Sequence, residues 1–221
     1  MERRMRKKDD ALTEVVGFIF VITIFLMLIV MWMLIAVPIL AENDETSHTA
    51  AVRLEMAELK NDLDTMCISN TVGVKRENTI TLAPAGDRTQ ITLLPNINTP
   101  LTSGSLNISR QTGVTVSGET YYPVNITYTS SNQYAANVVY TISGGAMYSG
   151  ERLTLGRLCN SSGYEYVIAV DEQTKDQMVG GNEASTIQYM LLKTVDDADT
   201  KKRYYIFSMK IVYRAEGVQR G

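Results

Sequence analysis

The sequence has few of the side chains that enzymes use as nucleophiles, bases or metal ligands. Its 221 residues include a single histidine, His48, and two cysteines, Cys67 and Cys159. A Ser–His–Asp or Cys–His device needs a base held beside its nucleophile, and no serine motif accompanies His48. A structural zinc site needs about four nitrogen or sulfur ligands, more than these three residues supply. We therefore expect no catalysis and no cofactor, and we interpret His48 as a hydrogen-bonding residue at a helix surface or interface.

Motifs for nucleotide, redox and calcium chemistry are also missing. Gly180-Gly181 is not followed by the Lys-Ser/Thr pair of a phosphate loop, and no Cys-x-x-Cys occurs. The stretch Asp196-Asp197-Ala198-Asp199 lacks the glycine and the distal glutamate of an EF-hand, so we interpret it as a solvated turn. The formal net charge is −3, and an acidic surface argues against a nucleic-acid partner because phosphate contacts need a basic face.

One long apolar run dominates what the chain does contain. Residues 15–41 carry no charge, and eighteen of these 27 side chains are Leu, Ile, Val or Phe. About 20 residues suffice to cross the hydrocarbon core of a bilayer. The run favours insertion by roughly 5–10 kcal/mol on biological insertion scales. It predicts a single-pass transmembrane helix whose partner is the lipid bilayer, with a kink near Pro38 because proline cannot donate a helical hydrogen bond.

The charges on either side of this run predict its orientation. Residues 1–10 have a net charge of +2, which leaves −5 for the rest, and the far side of the run opens with Glu42, Asp44 and Glu45. Positive charge beside a membrane helix stays in the cytoplasm. We therefore expect a cytoplasmic N-terminus in the cell membrane and a C-terminal domain outside. On that oxidising side Cys67 and Cys159 suggest a disulfide, with two separate buried thiols as the alternative.

The start of the chain resembles a known class of surface protein. A basic stretch, the triplet Leu12-Thr13-Glu14 and then Val15-Val16-Gly17-Phe18 open the apolar run. This arrangement is similar to the N-terminus of archaeal type IV pilin-like proteins. The resemblance implies that a prepilin-type peptidase cuts between Ala11 and Leu12, or one residue earlier. It also implies that Glu14 lies near the acidic position that some pilins pair with a neighbour's new amino terminus.

The leader departs from that family at one place. Asp9 and Asp10 precede Ala11, where the family usually has Lys or Arg followed by Gly or Ala. Two interpretations therefore stay open. In one, the processed helices pack together in homo- or hetero-assemblies. In the other, the protein stays in the bilayer with its leader attached.

The resemblance continues for about the first 110 residues. Val37-Pro38, an acidic stretch, His48, a helical segment and short strands follow in the same order as in one uncharacterised archaeal pilin-like membrane family. That family has no established activity, so the resemblance implies an anchored surface module and no reaction.

A second helical pattern follows the apolar run over residues 42–66. Its apolar side chains recur at helical spacing and form one stripe, made of Val52, Met56, Leu59, Leu63 and Met66. The stripe spans only about two heptads. We therefore favour packing against the domain that follows over pairing with the same helix of another subunit.

From Cys67 onward the pattern changes to alternation with a period of two. The predicted strands are 79–82, 89–94, 105–109, 114–116, 124–129, 138–143, 152–155, 164–170, 187–193 and 203–215, separated by Gly, Asn, Ser and Pro. We expect one helical turn or a loop over 171–185. About ten short strands without βαβ alternation predict a mainly antiparallel β-sandwich. The fold class is thus α+β, divided into a basic leader (1–11), a membrane and amphipathic helix (12–66) and a β-sandwich domain (67–221).

The β-domain offers candidate modification and contact residues. Three sequons place glycan acceptors at Asn107, Asn125 and Asn160, two of them on the polar side of an alternating strand and the third in a turn. The pairs Tyr121-Tyr122 and Tyr204-Tyr205 are either an amphipathic contact surface or ordinary strand residues. Together these patterns predict a non-enzymatic cell-surface protein.

Overall fold

The computed structural model describes residues 2–83, 103–157, 163–181 and 184–213, with the backbone alone for 2–14 and 213. It contains one long helix, α1 (Glu2–Ser69), about 100 Å long at 1.5 Å per residue. The helix does not end at Pro38, which lies inside it. The strands are β1 (Lys75–Thr81), β2 (Ser103–Arg110), β3 (Val114–Val116), β4 (Glu119–Ser131), β5 (Val139–Ser143), β6 (Ala146–Ser149), β7 (Arg152–Leu155), β8 (Glu165–Val170), β9 (Gln177–Gly181), β10 (Ala184–Asp197) and β11 (Lys202–Tyr213).

These strands form one continuous curled sheet in which neighbours are mostly antiparallel. Its main order is β1-β10-β11-β8-β4-β5-β6-β7; β2 and β3 also pair with β4, and β9 pairs with the other edge of β2. The α+β class and the mainly antiparallel pairing are confirmed. The expected division into two facing sheets is not confirmed, because the ladders are joined through β4. One pair, β11 with β8, is parallel.

Strand β4 joins the two parts of the sheet because it is long enough to pair with different partners along its length. Its first half pairs with β3 and, at Tyr122 and Pro123, with β8. Its second half pairs with β2 on one edge and with β5 on the other. A thirteen-residue strand is about 43 Å long, so one strand carries the chain from one end of the domain to the other.

A side chain provides a second connection between the two parts of the sheet. The pairing of β8 with β11 ends at Phe207, and none of the described strands pairs with the next backbone groups of β11 on that edge. Gln177 fills the gap: its Oε1 accepts from the Ile211 N–H at 2.8 Å and its Nε2 donates to the Met209 carbonyl at 3.3 Å. An amide can do both because it carries a donor and an acceptor.

The predicted helix stripe forms one wall of the main core. Val52, Met56, Leu59, Leu63 and Met66 are all fully buried, packed with apolar residues of β1, β2, β4, β5, β8, β10 and β11. Intramolecular packing of the stripe is therefore confirmed. The alternation of the last strand predicts one buried and one mostly solvated face. Tyr205, Phe207, Met209 and Ile211 do face this core, but Tyr204 and Ile206 on the opposite face are buried as well.

Strand β8 is buried on both faces. Tyr166, Ile168 and Val170 belong to the main core, whereas Val167 and Ala169 pack on the opposite face with Val116, Tyr121, Tyr204 and Ile206. Its continuous apolar sequence matches this central position, since a strand covered on both sides needs no polar face.

Two strands differ from the sequence expectations. The stretch 171–185 was expected to hold a helical turn or a loop, but it contains β9 and the start of β10. Strand β6 lies between the glycine turns at 144–145 and 150 and was not expected. Both strands are short and contain or adjoin glycine, so neither shows clear alternation. The candidate strand 89–94 lies outside the described residues.

Candidate membrane anchor and its attachment to the β-domain

The apolar half of α1 is largely exposed. Most large apolar residues from Val15 to Leu40 are exposed, including Met27 at 74% and Leu34 at 73%, and the apolar stretch is not buried inside the protein. Soluble proteins rarely expose contiguous apolar patches larger than a few hundred Å². The length, composition and exposure of this segment indicate a single-pass membrane protein.

Burial on α1 begins at Ala41, the last residue of the apolar run. The buried row continues through Glu45, His48, Thr49 and Val52 into the apolar stripe. Its first part is polar, so hydrophobic periodicity does not reveal it. The β-domain therefore reaches further toward the apolar half of the helix than the sequence predicted.

Glu45 fixes the connection between β4 and β5 to the helix. Its Oε1 accepts the N–H of Gln133 at 2.8 Å, and its Oε2 accepts those of Tyr134 at 2.8 Å and Ala135 at 2.6 Å. Glu45 as a whole is only 3% exposed. Hydrogen bonds to a charged acceptor are about twice as strong as neutral ones, so this three-fold contact holds the loop of residues 132–138 firmly against α1.

Two further carboxylates attach α1 to the sheet. Glu55 accepts from the N–H and the hydroxyl of Thr81, both at 2.7 Å, at the end of β1. Asp62 accepts from the Tyr189 hydroxyl at 3.1 Å and lies 3.5 Å from Arg76. Contacts at positions 45, 55 and 62 thus follow the helix along the whole domain, and the helix and sheet form one unit.

His48 makes the interface hydrogen bond that its position suggested. The Nε2 atom lies 3.3 Å from the Tyr128 hydroxyl, and a second bond involves the backbone of Leu82. Burial lowers the pKa of His48, and burial raises the pKa of Tyr128 to about 12. A neutral imidazole has one donor and one acceptor nitrogen, so it serves both partners.

We expect this histidine to make stability depend on pH. Since its pKa is lower in the folded state than its usual 6.5, the unfolded chain takes up the proton first. Stability is then full above about pH 6.5 and falls as the pH drops below it. The free energy of unfolding, measured by urea titration at pH 7.5 and 5.5, should fall in the wild type and change less in His48→Gln. Equal changes in the two proteins would contradict this assignment.

A second buried row on α1 carries charge. The Lys60 ammonium pairs with the Asp64 carboxylate one turn later, and burial raises the pKa of Asp64. Cys67 follows at 3% exposure, and burial raises the pKa of its thiol. Its predicted partner, Cys159, lies outside the described residues, so the disulfide stays a prediction.

An open cleft of about 610 Å³ lies far along the domain from the apolar half of α1. It is lined by residues 118–122, 171–173, Leu192, Lys193 and Ile206. Lys193 pairs with Glu119 and holds the pKa of that carboxyl below its usual range. The Tyr121 hydroxyl also donates to Glu119, and burial raises the pKa of Tyr121. These three groups satisfy one another and are held in their ordinary protonation states at neutral pH.

The tyrosine pairs and the aspartate run act as structural elements. Tyr121, Tyr204 and Tyr205 are buried and Tyr122 is half-buried in β4, so the two pairs are strand residues and not a fully exposed contact surface. Asp197 accepts from the N–H groups of Asp199 and Thr200 and stabilises the turn between β10 and β11. Asp196 forms a two-point pair with Arg203, at 2.6 and 2.7 Å. Within the described residues no group of three or more His, Cys, Asp or Glu is arranged to hold a metal.

The predicted processing residues lie on α1, and two of the three predicted glycosylation residues lie on strands of the sheet. Ala11, Leu12 and Glu14 lie on α1, where the structure gives the backbone. Asn107 and Asn125 occupy the face opposite the buried Leu106, Ile108, Val124 and Ile126 and are half-buried. The Asn125 amide oxygen accepts from Gln111 at 2.6 Å. Asn160 lies outside the described residues, and glycosylation at all three sites stays a prediction.

No family model, no curated protein and no solved structure matches this chain. What the fold defines is therefore a class: a single-pass membrane protein with one β-rich domain built around the second half of its anchor helix.

Proposed function

We propose that the protein is a non-enzymatic, pilin-like surface subunit with its N-terminus in the cytoplasm and its β-domain outside the cell. One observation carries the proposal. A single helix has exposed apolar side chains over residues 15–40, whereas its second half forms a wall of the β-core. Such a helix can be surrounded by lipid before assembly and by neighbouring helices afterwards, while the β-domain keeps a fixed attachment to it.

The beginning of the chain supports the same proposal. The leader has a net charge of +2, the opening of the apolar run resembles that of archaeal type IV pilin-like proteins, and Glu14 precedes the run directly. In a processed subunit that carboxylate would face the new amino terminus of a neighbour. In that processed chain Glu14 would lie in the first turn of the helix, where the helix dipole favours a negative side chain.

The mature N-terminus tests this proposal. We expect mass spectrometry of protein purified from cells to find a chain that begins at Leu12, or at Ala11, in material sheared from the surface. The control is the same chain expressed in a host without a prepilin-type peptidase, where Met1 should be retained. An intact leader in the native membranes, with no protein in the sheared material, would contradict it.

The second candidate is a stationary membrane protein whose β-domain binds a partner. Asp9 and Asp10 favour it, because they stand where the pilin-like family usually has a basic residue followed by Gly or Ala. In that case the leader remains attached, and the protein is found only in the membrane fraction.

A further inference from the structure

The loop of residues 132–138 lies beside the first turns of α1 that follow the apolar stretch. Glu45, which binds the N–H groups of Gln133, Tyr134 and Ala135, is five residues beyond Leu40. Five helical residues are about 7.5 Å along the axis. The headgroup layer on one side of a bilayer is about 5–8 Å thick, given a core of about 30 Å and a total of about 40–45 Å. A membrane that covers the apolar stretch thus has its headgroups at the level of this loop.

The loop has a fixed shape. Two hydrogen bonds fix the start of the loop. The Asn132 backbone N–H donates to the Asn137 side chain at 2.6 Å, and the Asn132 side-chain amide donates to the Ala136 carbonyl at 2.9 Å. The Val138 N–H donates to the Ser130 hydroxyl at 2.8 Å. These bonds and the three hydrogen bonds that Glu45 accepts from the loop, which together we call the Glu45 clamp, hold the loop backbone in place before any membrane contact is made.

The composition of the loop suits a neutral lipid interface. It contains no charged residue, and Tyr134 is its exposed aromatic side chain at 38%. Tyrosine is enriched at membrane interfaces because its ring is apolar and its hydroxyl remains hydrated. Glu42 lies exposed on the same part of α1, and its charge disfavours anionic headgroups.

We propose that this loop is a second membrane contact, in which Tyr134 enters the headgroup layer of the outer leaflet and sets the height and tilt of the β-domain. The contact is with zwitterionic lipid. The proposal rests on insertion of the anchor helix and is independent of leader cleavage and of filament assembly.

The apolar stretch is about 40 Å long, roughly 10 Å more than the hydrocarbon core, so the helix is expected to tilt. A tilt lowers one side of the domain toward the lipid.

The opposite end of the domain provides the reference position. Thr194 donates to the Asn70 side chain at 3.0 Å, next to the end of α1. Asn70 is 25 residues beyond Glu45, or about 37 Å along a helix. The exposed turn that contains Ala198 lies just past Thr194 and is therefore far from the membrane level.

Fluorescence quenching by labelled lipid tests the proposal in the full chain. The chain contains one tryptophan, Trp32, so Trp32→Phe gives a background for a single probe at position 134 (Tyr134→Trp) or at position 198 (Ala198→Trp). In phosphatidylcholine vesicles with a nitroxide on the headgroup, we expect about twofold or greater loss of fluorescence at position 134 and none at position 198. The loss should not change with salt. Equal, small losses at both positions would overturn the proposal.

Two further measurements separate the causes of a negative result. Trp32 in the wild type should be quenched by lipid labelled in the acyl chain, which reports insertion of the anchor by itself. Quenching of Trp32 without quenching at position 134 overturns the loop contact and leaves the anchor intact, whereas loss of both overturns the anchor as well. If Tyr134→Trp does not fold, as judged by circular dichroism, Ala136→Trp places the probe on the same exposed loop.

Two matched variants, Glu45→Gln and Glu42→Gln, test whether the Glu45 clamp positions the loop. Glu45→Gln keeps one acceptor oxygen and loses the charge, so the loop is less firmly held. With the probe at position 134, we expect it to lower headgroup quenching by about half, whereas Glu42→Gln on the adjacent exposed surface leaves it unchanged. An equal effect of the two variants would overturn the role of Glu45 in positioning the loop.

Discussion

Replacing Leu63 by alanine is expected to lower the free energy of unfolding by about 2–5 kcal/mol. Leu63 is fully buried in the middle of the helix stripe and packs in the core that α1 shares with the sheet. The substitution removes these contacts and leaves a cavity, because a packed interior relaxes only in part. The measurement is urea unfolding of the full chain in detergent micelles, followed by circular dichroism.

The same helix supplies the control. Leu54 is 70% exposed on the outer side of α1, so Leu54→Ala makes the same chemical change and should alter the unfolding free energy by less than about 0.5 kcal/mol. Equal losses in the two variants would show that this half of the helix does not pack on the sheet.

Two arginines in the middle of the anchor are expected to release the protein from the membrane. Each arginine at a helix centre costs about 2.5–3.5 kcal/mol on insertion scales, against roughly 5–10 kcal/mol for the whole apolar run. Ile24 and Leu28 lie one turn apart near the middle of the run and are exposed. In Ile24→Arg/Leu28→Arg, the retained fraction after alkaline carbonate extraction should fall from nearly all to about half or less.

The control is Ile24→Ala/Leu28→Ala, which shortens the same two side chains without adding charge. It should remain in the membrane pellet, because the other apolar residues still favour insertion by several kcal/mol. Full retention of the double-arginine variant would mean that another part of the chain holds the protein in the membrane.

The contact between the helix and the sheet could be predicted from the sequence where the helix residues are apolar. It could not be predicted where they are polar. The stripe from Val52 to Met66 has helical spacing, and its burial follows from that pattern. Glu45, His48 and Thr49 continue the same buried row, but polar side chains at those positions are typical of a solvated surface. Glu45 and His48 are satisfied by partners distant in sequence, the loop of residues 132–138 and Tyr128, whereas the Thr49 hydroxyl donates to the Thr46 carbonyl within the helix.

The strands show a similar division. The alternation of β11 and the continuous apolar run of β8 predicted both elements, because each pattern is set by which faces are covered. The joining of the ladders through β4 and Gln177 could not be predicted, since it depends on pairings between residues far apart in the chain. The cleft beside Lys193 could not be predicted either, because its lining residues come from four segments that are separate in the sequence.

The central claim is that residues 15–41 cross the bilayer and hold the β-domain outside. The most direct measurement places a protease site in the exposed turn between β10 and β11, at Ala198, and adds the protease to intact cells. The account predicts cleavage without lysis, with the N-terminal fragment retained in the membrane pellet. Protection until the cells are lysed, or an N-terminal fragment in the soluble fraction, would contradict it.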